Sequence, residues 1–118
     1  MKEAAFNCGM EAVLDLIAGK WKLMIVYHLM HGGQLRFSEL RRLVGNVSEK
    51  MLSQQLKEMA CDGLVQRIDF RTVPPHVEYA LTGFGKSLAS TLQPLCAWGS
   101  ENMEEIGAIS AARAIRSA

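Results

Sequence analysis

SEKMLSQQLKEMACDGLV, residues 48–65, is the stretch on which the fold turns. At about 100° per residue, Leu52, Leu56 and Met59 fall on one stripe, which predicts an amphipathic helix with that stripe turned inward. The opposite side carries Lys50, Gln54, Lys57 and Cys61, with Ser53 on its flank and the acids Glu49 and Glu58 at the edges. Ammonium and amide donors gathered on one surface suit phosphate oxygens and the acceptor-rich edges of bases. Taken alone, the same residues fit a solvated helix face, because Lys and Gln are ordinary helix formers. The flanking segments decide between the two. Ser48 is placed as the N-cap, and Asp62-Gly63 as the stop.

Upstream, SELRRLVG (38–45) repeats the pattern in shorter form. Ser38 is placed to cap, Leu40, Leu43 and Val44 to face in, and Arg41 and Arg42 to face out, with Gly45 closing the helix. The turn Gly45-Asn46-Val47 joins it to Ser48. Two short helices around a tight glycine-containing turn, the second with a donor face, form a helix-turn-helix. Downstream the period changes. LVQRIDF (64–70) and VEYALT (77–82) read as strands, with Leu64, Ile68, Tyr79 and Leu81 available for one face. Pro74-Pro75 stiffens the turn between them, whose tip bears Arg71 and His76. A helix-turn-helix followed at once by a hairpin predicts a winged helix: mainly α with a small β-hairpin wing, an α+β fold.

Farther out, residues 20–31 are apolar nearly all round and end at Gly32-Gly33, which predicts the central helix, with Trp21 in its packing. Residues 10–18 are apolar at Met10, Val13, Leu14 and Ile17, a helical spacing closed by Gly19. Thr82 is placed to cap a last helix, where Phe84, Leu88, Leu92 and Leu95 form a side that a small domain has no core left to cover. That side is expected to meet a second copy of the chain, with Trp98 near the seam. Pro94 is expected to kink or interrupt this helix, and Gly83 and Gly85 to loosen its start. The tail from Gly99 has weak apolar spacing and is expected to be the least ordered part apart from the first few residues. The chain therefore divides into a domain at 1–98 and a tail at 99–118, which is open to helix formation.

With 118 residues, 49% hydrophobic and 21% charged, the chain is one domain's worth of protein. Its net charge of +1 names no partner, so a nucleic-acid site must come from arrangement. No apolar run approaches the roughly 20 residues of a membrane span. The N-terminus lacks the basic-then-apolar plan of a signal peptide, so a cytoplasmic location is expected, with no membrane partner. Cys8, Cys61 and Cys96 are too few and too scattered for a disulfide framework or structural zinc. His28 and His31, with Cys61 or Cys96, would make a metal-responsive regulator, but such pairs arise often by chance and both histidines sit where a helix dipole favours them anyway. A winged helix used only for protein contact is the other alternative, distinguished by the absence of salt-dependent DNA binding. No nucleophilic triad, phosphate-cradling glycine loop or carboxylate pair stands out, so neither an enzyme nor a cofactor is expected. The seven methionines read as gap-fillers, though a cluster near a dimer cleft would line a small-ligand pocket.

Four pieces now stand together: GKW at 19–21, RFSEL at 36–40, the QLKEM helix ending in DGLV, and VPPHVEYALT at 73–82. From about Cys8 to Trp98 the chain resembles the HxlR-type family of bacterial transcription regulators, a branch similar to the MarR group of winged-helix proteins. The resemblance implies a homodimer built by the first and last helices, a recognition helix in the major groove of double-stranded DNA, and a wing beside it. On that layout Lys50, Ser53, Gln54 and Lys57 face the groove, with Ser48 capping their helix and Gln54 suited to a bidentate contact with adenine. Ser38, Arg41 and Arg42 hold phosphates, and Arg71, with His76 beside it at the wing tip, reaches the adjacent minor groove. In redox-responsive members the cysteine aligned with Cys8 senses oxidants or electrophiles. This chain has Cys8-Gly9 where the family often has Cys-Pro. Cys96 is the expected partner for a bridge between subunits, with Cys61 as the alternative.

Overall fold

The computed structural model describes residues 5–117. Among them the elements run α1 (Gly9–Leu16), α2 (Lys20–Gly32), β1 (Gln34–Arg36), α3 (Phe37–Val44), α4 (Glu49–Cys61), β2 (Val65–Asp69), β3 (Val77–Leu81), α5 (Gly83–Glu101) and α6 (Met103–Ser117). No helix among these residues is long and apolar enough to cross a membrane. The winged helix predicted from the sequence is present, and its sheet has one strand more than a hairpin.

The core is built around α2, which buries Ile25, Val26 and Leu29. Leu40 of α3 and Leu52, Leu56 and Met59 of α4 close over it. Trp21 is half-buried against this cluster. Ser48 caps α4 as its sequence position predicts, its Oγ accepting from the Met51 N–H at 3.0 Å. The turn before it needs left-handed backbone at two successive residues, φ 71° at Gly45 and 41° at Asn46. Glycine adopts this freely and asparagine with little penalty, so the short α3–α4 turn is encoded locally. An ion pair from Lys22 to Glu58 at 3.1 Å ties α2 to α4, with the Lys22 side chain only 12% exposed.

Several expectations need correction. The helix α3 begins at Phe37, and its N-cap is Arg36 rather than Ser38. Arg36 ends β1 in extended conformation, so the strand passes straight into the helix, and the Glu39 carboxylate accepts the Arg36 N–H at 3.0 Å. Leu43 does not face in. It is 44% exposed, because Leu43 and Val44 flank Leu40 on opposite sides and only the Val44 side meets the core. The sheet is antiparallel in the order β1-β3-β2. Its register pairs Leu35 and Arg67 with Tyr79, Val65 with Leu81, and Ile68 with Glu78. Ile68 therefore lies on the face opposite Tyr79 and Leu81, since side chains alternate along a strand. Val65 takes the place expected for it, and Leu64 is buried just ahead of the strand.

At the C-terminal end, α5 runs unbroken past Pro94 to Glu101. The proline is exposed and removes one N–H whose partner carbonyl, on Ser90, also lies on an exposed segment, so the helix continues. Gly83 and Gly85 do not loosen the start: Gly85 is buried, and its N–H is held by Thr82 Oγ1 at 3.0 Å. Leu88 and Leu92 pack half-buried on the domain's own core, whereas Phe84 and Leu95 remain 57% and 60% exposed. The tail expected to be least ordered forms α6, which buries none of its residues.

Candidate nucleic-acid interface

Lys50, Ser53, Gln54 and Lys57 are exposed on one side of α4, with fully buried Leu52, Leu56 and Met59 opposite. No described residue engages these four side chains in a hydrogen bond or ion pair. The helix's two acids are each compensated: Glu58 by Lys22 at 3.1 Å, and Glu49 by Arg41 at 3.4 Å. The face therefore presents two ammonium groups, a hydroxyl and an amide, with its negative charge already answered at the edges.

Arg41 and Arg42, adjacent on α3, have different jobs. Arg41 Nε donates to the Val47 carbonyl at 3.2 Å, and its guanidinium reaches Glu49, so it braces the turn and the start of α4. Arg42 is exposed and has no such partner among the described residues. Ser38, Arg42, Gly45 and Asn46 line a shallow cleft of about 440 Å³ at the mouth of the α3–α4 turn.

At the wing, Arg71 sits at the tip with φ 53°, its N–H held by Asp69 Oδ1 at 2.8 Å and its side chain free of described partners. The Val73–Pro74 bond is cis, and Thr72 Oγ1 donates to the Pro74 carbonyl at 2.9 Å. His76, expected at the tip, is at the wing's root. The Phe70 N–H bonds the His76 carbonyl at 2.9 Å, extending the ladder beyond β2 and β3, so the open loop spans only 71–75. The imidazole lies against Phe70, ring centroids 4.5 Å apart. Its Nδ1 is 2.6 Å from Arg36 Nη2, and its Nε2 meets Glu78 Oε2. A guanidinium only donates, and a carboxylate only accepts. A proton on Nε2 lets the ring accept from Arg36 at Nδ1 and donate to Glu78, and leaves the Arg36 Nε–H, 3.1 Å from Nε2, with no lone pair there to meet. The hydrogen bond from His76, followed by one from Gln34 Nε2 at 2.9 Å, holds the Glu78 carboxyl below its ordinary pKa.

Gln34, Arg36, His76 and Glu78 thus pin the wing to the start of α3, and the sequence reading missed Arg36, Gln34 and Glu78. The alternation of Gln34 and Arg36 along β1 was visible; their meeting with Glu78 depends on a register between strands more than 40 positions apart.

Cys8 occupies the N-cap of α1, exposed, with no side-chain capping bond. Cys61 is exposed at the end of α4. Cys96 is half-buried in an apolar groove of about 410 Å³ between α2, α5 and α6, beside Leu23, Tyr27, Leu92 and Met103. Burial, with His31 nearby, lowers the pKa of His28, whose ring meets Tyr27 edge-on. Among the described residues no group of three potential metal ligands comes together.

Comparison with known proteins gives a consistent result. The model of the HxlR-like helix-turn-helix family matches residues 16–107. YtcD of Bacillus subtilis strain 168, an uncharacterized HTH-type transcriptional regulator, is 46% identical over 106 residues, covering 90% of this chain and 83% of its own. The redox regulator HypR in its reduced form superposes with a TM-score of 0.77 at 40% identity, over 86% of this chain and 99% of its own. The reduced form of the transcriptional regulator YodB of B. subtilis gives a TM-score of 0.67 at 31% identity, over 81% of this chain and 94% of its own, and the diamide-treated form gives 0.65 at 31% identity, over 82% and 96%.

Proposed function

The chain belongs to the HxlR-like helix-turn-helix family, and from that premise we propose that it reads a pseudo-palindromic operator in duplex DNA as a homodimer. It is a transcriptional regulator of the helix-turn-helix type and not an enzyme. The observation that carries the DNA assignment is the α4 face, where Lys50, Ser53, Gln54 and Lys57 are unspent while Glu49 and Glu58 are paired. Gln54 suits adenine, the lysines guanine or phosphate, Ser38 and Arg42 the backbone, and Arg71 a narrow minor groove. Arg41 acts by bracing the α3–α4 turn, and His76 by fixing the wing.

Dimerisation is supported by apolar surface that the monomer leaves uncovered. Met10 and Leu14 of α1, Leu95 and Trp98 of α5, and Met103 and Ile115 of α6 are all at least 58% exposed. Neither α1 nor α6 buries a residue. The radius of gyration is 16.6 Å, whereas a compact chain of this length has about 13.5 Å. A second copy would supply the missing cover.

The relatives HypR and YodB suggest a signal. Oxidation of the Cys8 thiol, followed by displacement by Cys96 of the other subunit, would form a disulfide, with two electrons passing to the oxidant and two protons to solvent. Adduct formation by an electrophile at Cys8 is the alternative input. Either would shift α1 against the dimer and change the separation of the two α4 helices.

The test is binding to duplex DNA across a salt series. A linear fall of log affinity with log salt supports the assignment, since it counts released counterions. No salt-dependent binding to any duplex in a random pool would sink it.

A further inference from the structure

The end of α4 and the start of α5 do not pack side by side, yet they are joined through a few backbone atoms. The reading helix closes with Asp62 N–H on the Glu58 carbonyl at 2.9 Å and Leu64 N–H on the Met59 carbonyl at 2.9 Å, with φ 77° at Gly63 between them. The Leu64 carbonyl then accepts the Thr82 N–H at 3.0 Å. Thr82 Oγ1 donates to the Gly63 carbonyl and accepts the Gly85 N–H at 3.0 Å. Gly85 seats this joint: a Cβ there would lie 2.1 Å from the Leu64 oxygen, a separation no side chain tolerates.

We propose that Thr82 and Gly85 are positioning residues that fix the angle of α4 on α5, so that the last helices set where the reading helices stand. This rests on α4 being the DNA reader. Thr82 is an ordinary N-cap for α5, but a cap needs only its contact with the Gly85 N–H. Here the same hydroxyl also grips the carbonyl of Gly63, in the turn that closes α4, and a glycine is required where the two backbones touch. The lever is long. Since α4 has 13 residues, it measures about 20 Å, and a tilt of about 10° at Leu64 moves its far end by about 3.4 Å, one base-pair rise. A movement in α5, which carries Cys96 and the exposed Leu95 and Trp98, therefore reaches the groove as a change of register. The other tie on α4, the Lys22–Glu58 ion pair, leads to α2 and supplies a control.

The experiment uses the full chain with Cys8→Ser, Cys96→Ser and Gln93→Cys, spin-labelled at Cys61 and position 93 and diluted into unlabelled protein, so that distances within one chain are read by pulsed electron resonance. Thr82→Val keeps the side chain's shape without its hydroxyl, Thr82→Ser restores the hydroxyl, and Gly85→Ala forces the backbones apart. Thr82→Val and Gly85→Ala are expected to shift or broaden the distance and to lower affinity for the selected operator roughly tenfold, with a changed preference for half-site spacing. Thr82→Ser should behave as wild type. Lys22→Met should lower the melting temperature and leave the distance unchanged. A wild-type distance and spacing preference in folded Thr82→Val would overturn the proposal, as would a shift equally large in Lys22→Met. The distance needs no DNA, so failure of wild type to bind any duplex would refute the DNA assignment while the distance still judges the joint.

Discussion

Replacing Arg41 or Arg42 with Met should separate two roles that adjacent arginines share in sequence. Arg41 loses a charge-assisted hydrogen bond to the Val47 carbonyl at 3.2 Å and an ion pair with Glu49 at 3.4 Å. A bond to a charged donor contributes about 1.5–3 kcal/mol when shielded, but this side chain is 45% exposed, which reduces it to about 1 kcal/mol. The Glu49 pair, more open still, adds about 0.2–0.5 kcal/mol. Arg41→Met should therefore lose about 1–1.5 kcal/mol, a fall in melting temperature of roughly 3–8 °C for a domain of this size. Arg42 has no described partner, and Arg42→Met should stay within about 0.5 kcal/mol of wild type. On DNA the order reverses in kind. Arg42→Met should reduce the salt slope by about one counterion while leaving base preference intact. The assays are urea unfolding at fixed protein concentration, followed by tryptophan fluorescence, and anisotropy of a labelled duplex across a salt series. Glu49→Gln is the control and should cost no more than about 0.5 kcal/mol. An unchanged urea midpoint in Arg41→Met, or an Arg42→Met variant destabilised as much, would refute the division of labour.

Three further outcomes are expected. Cys8→Ser should keep its DNA affinity after diamide or a quinone, while wild type loses it and shows a covalent dimer on a non-reducing gel; indifference of wild type to both reagents defeats the sensing role. Ending the chain after Trp98 removes α6 with exposed Met103 and Ile115, and should shift sedimentation toward monomer; an undisturbed dimer would place the interface elsewhere. His28 has its folded pKa lowered, chiefly by burial and then by His31, so as pH falls below the ordinary 6.5 the unfolded chain takes up its proton first and stability declines toward the folded pKa. His28→Gln should flatten that decline in urea midpoints measured between pH 7 and 5, and an equally steep decline in the variant would contradict the assignment.

What the sequence disclosed was local. Ser48, the Leu52–Leu56–Met59 stripe and the Gly45-Asn46 turn each carry their conformation within a few residues, so α4 and its approach were readable without a structure. The wing was readable in outline because Pro74-Pro75 and the change to period two are local as well. What depended on pairing across the chain was not. The placement of Ile68 on the wrong face follows from a register that only the fold supplies, and β1 was too short to announce that it joins β3. His76 looked like a tip residue until the Phe70–His76 hydrogen bond shortened the loop and Arg36 and Glu78 claimed its ring. Gly85 illustrates the same limit. Its propensity suggested a loose helix start, whereas the Leu64 carbonyl packed against it makes the position tight. In α6, helix formation prevailed over the weak apolar spacing that had argued for a poorly ordered tail.

The most direct test of the central claim is selection of bound duplexes from random sequence by the reduced wild type, Gln54→Ala and Lys50→Ala. Wild type should enrich two inverted half-sites whose centres lie about 34–36 Å apart or a multiple of that. Gln54→Ala should lose preference at one position in each half-site, worth about 1–3 kcal/mol of discrimination. Enrichment of the same sequence with the same affinity by both variants would show that α4 is not the helix that reads the DNA.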